Sequence, residues 1–306
     1  MAFRFSVPCD YRRPKFNQEY IILWCDRCNY GHIHNKLSTR EISESYNVNY
    51  YTHTKNEEQI VKKDSFLDKL RIYTAWRFDR GNEEFLENIQ SYFAQNNLVI
   101  CEIGCGNGGN LLKLDSLGFQ VYGIEPDCNA RQLALNSIDN IYDGTAEKLP
   151  QAICDRKYDV VLMSHVLEHC VDINKAILNA KNLLNENGIL IIEVPNCNSL
   201  AFKTYLGEWP WSDIPRHLNF FTPNSLAKAI NKHELKVIST QYRGYCRQFL
   251  NSWLETEEKI WLEFAKTKQD SYSKPNFKFR AWKLLIKSLL LSNELKYDSV
   301  RIVATQ

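Results

Sequence analysis

Residues 98–110, Leu98-Val-Ile-Cys-Glu102-Ile-Gly104-Cys-Gly106-Asn-Gly108-Gly109-Asn110, decide how the chain folds. Apolar residues lead to a lone carboxylate, and glycines then alternate along a bend before a helix begins. The stretch reads as a buried strand, a glycine turn and a helix start. Such turns let something approach the backbone closer than a Cβ allows.

Two ligand classes compete for the turn. Gly104, Gly106 and Gly109 satisfy the dinucleotide spacing G-x-G-x-x-G. With Glu102 included, the run instead fits the E/D-x-G-x-G-x-G form expected for S-adenosylmethionine (SAM). A dinucleotide turn normally has an apolar residue two places before its first glycine, packed under the bend. An acid there would repel a pyrophosphate, whereas it suits the ammonium and sulfonium of SAM. Glu102 therefore favours SAM.

Working outward, the chain from about residue 96 alternates strands and helices. Strands are expected at 98–103, 119–124, 140–142, 159–163 and 188–194, with helices after the glycine turn, at 128–136 and at 173–185. This alternation predicts an α/β fold with a doubly wound, mostly parallel sheet. Ligands of such sheets sit beyond the carboxyl ends of the strands, where the order reverses. The glycine turn, Glu125 and Ser164 all fall at such ends. Glu125 ends the second strand, where an acid accepts both ribose hydroxyls of an adenosine. A helix from Ser225 to His233 and a strand at 235–241 follow. Two amphipathic helices, 249–266 and 277–292, form an insertion of about 247–292 before a last strand at 299–305.

Ahead of this domain (96–306) lie two smaller segments. Residues 1–45 centre on Tyr20-Ile-Ile-Leu-Trp-Cys25-Asp-Arg-Cys28-Asn-Tyr-Gly-His32, a hairpin with C-x-x-C at its turn. A knuckle of this kind holds zinc when two further ligands join Cys25 and Cys28, and Cys9 and His32 (or His34) are the candidates. Free thiols are the alternative. Residues 46–95 form a helical lid or linker. Phe66, Leu67, Leu70, Ile72, Tyr73 and Trp76 recur at helical spacing, followed by Phe85, Leu86, Ile89 and Phe93, which predicts one or two helices packed on the next domain. Tyr50 and Tyr51 are candidate lid residues.

Bulk properties narrow the partners. The 306 residues are 44% hydrophobic and carry a net charge of +2, which gives no strong signal for nucleic acid. No stretch approaches the roughly 18 apolar residues of a membrane span, and the first residues show no signal-sequence pattern. Ten scattered cysteines, several beside strands, match a reduced, cytoplasmic setting.

Taken together, Glu102–Gly108, Glu125-Pro126-Asp127, Tyr158-Asp-Val-Val-Leu-Met-Ser-His-Val-Leu-Glu-His169 and Pro215-Arg-His-Leu-Asn-Phe-Phe-Thr-Pro223 resemble the class I SAM-dependent methyltransferases. The resemblance is to the bacterial group that often carries an N-terminal C-x-x-C…C-x-x-C knuckle, and it spans roughly residues 20–235. The first C-x-x-C of that group is missing, since Arg12 follows Cys9 where a second thiol would fall. The resemblance implies Glu102, Gly104, Cys105 and Gly106 around the methionine part of SAM and Glu125 and Pro126 at the ribose. It also implies Thr145 and Ala146 near the adenine and Ser164 beside the sulfonium.

A hydroxyl acceptor must lose its proton, which suits a histidine. His217 and His165 are the candidate bases. His165 and His169 would share a face if their turn were helical, and His169 is counted with the acceptor-binding residues. Arg216 is a candidate anchor for an anionic acceptor. Trp209, Trp211, Phe220 and Phe221 suit stacking on a sugar or ring. Strand four ends in Met-Ser-His-Val rather than the [D/N/S]-P-P-[Y/F] turn of enzymes that methylate amino groups of planar bases. The expected activity is O-methylation of a sugar or other small biosynthetic intermediate. A sugar C-methyltransferase, an N-methyltransferase and a non-catalytic SAM-binding protein with a docking knuckle are the alternatives. Helix 277–292, basic on one face, is a lid, a dimer face or a membrane-surface contact.

Overall fold

The computed structural model describes residues 1–14, 18–35, 37–46, 48, 64–82, 86, 88–267 and 273–306; Tyr50, Tyr51 and Phe85 lie outside them. Its strands are β1 (Ala2–Val7), β2 (Tyr20–Cys25), β3 (Tyr30–Ile33), β4 (Val99–Ile103), β5 (Gln120–Ile124), β6 (Ile141–Tyr142), β7 (Tyr158–Ser164), β8 (Leu184–Pro195), β9 (Asn219–Phe221), β10 (Lys236–Arg243) and β11 (Ser299–Thr305).

Seven strands form the central sheet in the order β10-β11-β8-β7-β4-β5-β6. β4 runs parallel to β5 and β7, and β8 continues the parallel run beside β7. β11 is antiparallel to both β8 and β10. This is the expected doubly wound, mostly parallel sheet. Its central strands are apolar runs because helices cover both faces, so Ile100, Cys101, Val161 and Ile191 are fully buried. The order reverses between β4 and β7, which places the crevice at the carboxyl ends of those strands.

A second, antiparallel sheet has the order β1-β2-β3-β9. Its fourth strand comes from the loop after β8, pairing Gly31 with Phe220. Phe5, Ile22 and Trp24 share one core with Phe202, Trp209, Phe220 and Leu285. Trp209, Phe220 and Phe221 are thus interior packing, not the acceptor-stacking groups expected of them, and Trp211 alone of that set is half-buried.

Helix Phe66–Phe78 forms, with Ser65 and Asp68 making a reciprocal cap. It packs with the opposite face from the one expected. Asp68, Arg71 and Ala75 are buried, while Phe66, Leu67, Leu70, Tyr73 and Trp76 are exposed. The polar face turns inward because Arg71 donates to the Phe249 carbonyl at 3.0 Å, to Asp68 at 3.0 Å and to Asn251 at 2.7 Å. The insertion contains helices Asn251–Lys266 and Phe277–Ser288. Among the described residues no helix is long and apolar enough to cross a membrane.

Candidate active site

The glycine turn leaves β4 with Gly104, Gly106 and Gly108 all at positive φ, a conformation that side chains with a Cβ rarely adopt. A Cβ on Gly104 would lie 2.4 Å from Val166 Cγ2, so the segment after β7 crosses directly over the turn. The amide of Gly106 donates to Glu125 Oε2 at 2.8 Å, and that of Asp127 donates to Oε1 at 2.9 Å. Glu125 is therefore fixed at the end of β5 against the turn, and burial raises its pKa despite these amides.

Glu102 is only 1% exposed. Its Oε1 accepts from Asn110 Nδ2 at 2.7 Å, while Oε2 has no partner among the described residues. Burial pushes its carboxyl up to about 8, against the lowering effect of Asn110. A buried, unsatisfied carboxylate oxygen costs about 1–3 kcal/mol or more, so the residues fit a cofactor that brings an ammonium to this point. Cys105 is buried within the turn, and Pro126 offers its carbonyl to Arg131 at 3.2 Å. Thr145 commits its amide and hydroxyl to a turn with Lys148, and the Ala146 carbonyl accepts from Asn179.

Ser164 ends β7, and His165 follows it at φ 55°. The histidines do not share a helical turn. His165 adopts a left-handed bend, and a short 3-10 turn over Leu167–His169 follows, yet both rings come to the Glu168 carboxylate. His165 Nδ1 lies 3.1 Å from Glu168 Oε1 and Nε2 lies 3.4 Å from Glu193 Oε1. Its ring stacks on Trp211 at 4.7 Å with an 11° interplanar angle. Burial opposes its charge, but the two carboxylates outweigh it and lift His165 to about 9. At neutral pH it is an imidazolium.

Glu193 is held low, despite burial, chiefly by Arg301, whose Nη2 donates at 2.6 Å. These two residues were not among the sequence candidates. Their signal was nonetheless present: an acid and a base each interrupt an otherwise apolar strand, and the two pair directly in register.

His169 and His217 pack ring against ring at 4.6 Å. The Arg216 carbonyl lies 3.0 Å and the Tyr46 hydroxyl 2.9 Å from His169 Nδ1. His217 is buried, and the lost solvation pushes it down to about 3. A base that weak, sealed from solvent, is poorly suited to remove a hydroxyl proton. Among the described residues, Glu168, His169 and His217 are the one group of three metal-ligand types whose ligand atoms lie within 4.8 Å.

Arg216 also has a different place from the one expected. Its buried guanidinium donates to Asp10 at 2.8 and 3.0 Å, to Asp213 at 3.0 Å and to the Ser45 carbonyl at 3.0 Å. It pins the N-terminal segment to the loop and leaves no face for an acceptor. The expected zinc set is likewise not brought together. Cys25 and Cys28 meet at the hairpin turn, with the Cys28 amide donating to Cys25 Sγ at 3.4 Å. Cys9 instead faces the Glu263 carbonyl, and burial pushes its thiol up to about 11. His32 lies on β3, with Nδ1 2.7 Å from the Ile33 carbonyl.

A cleft of about 990 Å³ opens beside the carboxyl end of β10, lined by Trp76, Arg77, Arg80, Tyr92, Gln241 and Arg247. Arg247 grips Asp298 at 2.6 and 2.7 Å and lies over the Trp211 ring at 4.9 Å. Trp211 in turn stacks on His165, so packed side chains connect the cleft to the end of β7. The arginines carry no motif, which is why the sequence did not single them out.

The profile of a family described as "Methyltransferase domain" matches residues 73–240, more than half of the chain. The chain belongs to that family. The ubiquinone biosynthesis O-methyltransferase of Bradyrhizobium diazoefficiens is 27% identical over 184 residues, 57% of this chain and 72% of that protein. Its counterpart from Rickettsia bellii is 26% identical over 165 residues, 50% and 68% of the two chains. A SAM-dependent methyltransferase structure from Archaeoglobus fulgidus aligns with a TM-score of 0.50 at 16% identity, covering 77% of this chain and 94% of that one. The methyltransferase thus has the class I SAM-dependent fold, with a second sheet built onto its N-terminal side.

Proposed function

We propose that this methyltransferase moves a methyl group from SAM to an oxygen of a small acceptor seated in the cleft of Trp76, Arg77, Arg80 and Arg247, with His165 taking the hydroxyl proton. The observation that carries the reading is the stacked path from the cleft through Arg247 and Trp211 to His165, the residue after Ser164. Bound SAM supplies an electrophilic methyl on a sulfonium. The chain's own residues do the rest. Glu102 meets the ammonium, Glu125 accepts from the ribose hydroxyls, and the glycine turn brings backbone close to the cofactor. Trp211 and Val166 exclude water, so alignment supplies most of the acceleration. The arginines favour an acceptor with an anionic group or an acidic hydroxyl. The distant relatives named O-methyltransferases support transfer to oxygen.

His165 must shed its own proton before it accepts another. Turnover should therefore rise with pH through about 9, the value its carboxylate neighbours impose. The test supplies SAM with a panel of phenolic, sugar and carboxylated hydroxyl acceptors and measures S-adenosylhomocysteine formation. His165→Asn should lower kcat about 10²–10⁴-fold while leaving SAM affinity within about threefold. A pH-independent rate would remove His165 from this role, and methylation at nitrogen or carbon would overturn the reading.

A further inference from the structure

Helices Phe66–Phe78 and Phe277–Ser288 both expose apolar side chains that nothing in the described molecule covers. On the first these are Phe66, Leu67, Leu70, Tyr73 and Trp76; beyond the buried face of the second they are Phe279, Ile286 and Leu290. Phe66 is 79% and Leu290 92% exposed. The spacing of Phe279, Lys283, Ile286 and Leu290 follows one side of a helix and its continuing turn. Phe66, Leu70 and Tyr73 do the same on the other helix.

The two helices sit side by side on one support. Both helices pack against the Cys246–Phe249 turn. Arg71 reaches the Phe249 carbonyl, and Ser288 Oγ lies 2.9 Å from Tyr245 Oη. Their first turns are tied by Lys278 Nζ to Asp68 at 2.7 Å.

The charges on this surface are one-sided. Lys69, Arg77, Lys283 and Lys287 are exposed on the two helices, and their one acid within the helical spans, Asp68, is buried and paired with Lys278. The chain as a whole carries only +2, so this is a local concentration. Glu255 and Glu258 on helix Asn251–Lys266 lie on the adjoining helix, outside these two faces. Aromatic and aliphatic side chains interspersed with lysine and arginine match a headgroup boundary.

We propose that these two faces form a peripheral docking surface for an anionic lipid bilayer. The surface meets the acceptor cleft, since Trp76 and Arg77 also line it. Resting on the function proposed above, an amphiphilic acceptor held in the bilayer would reach the cleft without crossing water.

The test is co-sedimentation of the full chain with vesicles of phosphatidylcholine and phosphatidylglycerol in equal parts, against phosphatidylcholine alone. Binding should be at least about tenfold stronger on the anionic vesicles and should fall with added salt. Ile286→Ser with Leu290→Ser, and separately Lys283→Glu with Lys287→Glu, should each weaken it about tenfold or more. Thermal melting and SAM affinity should not change. Equal binding to both vesicles, or none, overturns the proposal. So does a stable dimer by light scattering that Ile286→Ser dissociates, which would make the face a self-association surface. Vesicle binding without methylation of any hydroxyl acceptor would leave the docking surface standing and remove only the proposed function.

Discussion

Glu102 and Arg216 are both buried charged residues in parts of the chain that sequence motifs singled out, and they have opposite surroundings. Arg216 is satisfied on every side by Asp10, Asp213 and a backbone carbonyl. Glu102 keeps one oxygen without a partner and is pushed toward its neutral form. A closed network is what a folded chain builds for itself. An open, costly acceptor is what the proposed SAM site would use. The contrast distinguishes structural from binding roles better than residue type does.

The largest effect should come from opening the closed network. Arg216→Met leaves Asp10 and Asp213 buried without their guanidinium, and should cost about 3–5 kcal/mol in denaturant unfolding. Any loss of turnover should track unfolding, with acceptor KM unchanged in the folded fraction. An effect on KM with normal stability would return Arg216 to the acceptor site. Asp213 is held below its ordinary 3.8, despite burial, mainly by Arg216 and Arg12. Its stabilisation is therefore complete above about pH 4 and lost as pH falls further.

Glu102 should show the opposite pH dependence. Its carboxyl rises from 4.5 to about 8 in the folded chain. Between those values the folded state holds a proton that the unfolded state has lost, so ligand-free stability should fall as pH rises through this window. SAM affinity should rise over the same range as the carboxylate forms. Glu102→Gln should weaken SAM binding about 10- to 100-fold and flatten both pH trends, as calorimetry and thermal melting at pH 5 and pH 8 would read. Unchanged SAM affinity would mean the open oxygen serves something else.

The smallest effect belongs to the C-x-x-C turn. Cys25→Ser or Cys28→Ser should change stability by less than about 0.5 kcal/mol, and metal analysis should find well under one zinc per chain. Stoichiometric zinc lost in either variant would show that Cys25 and Cys28 do hold a metal ion.

What the sequence disclosed follows the range of each interaction. The turn and the positions of Glu102 and Glu125 in the fold were legible because glycine spacing and strand ends are written locally. Arg216 was misplaced because its partner Asp10 lies 206 residues away, and nothing near Arg216 announces that pairing. His217 failed similarly: a histidine in a loop shows its chemistry but not its burial. Helix Phe66–Phe78 was found but turned the wrong way, since periodicity locates an apolar stripe without saying that it faces inward. Glu193 and Arg301 were readable as charges in apolar strands, though only the register joins them.

The pairing of β3 with β9 has a bearing on how the protein is made. During synthesis the hairpin of β2 and β3 emerges long before Asn219–Phe221. At roughly 5–20 residues per second, the hairpin waits on the order of ten seconds or longer with an open hydrogen-bonding edge. The nascent segment is exposed to mispairing during that interval, and shielding by a chaperone would be most valuable then.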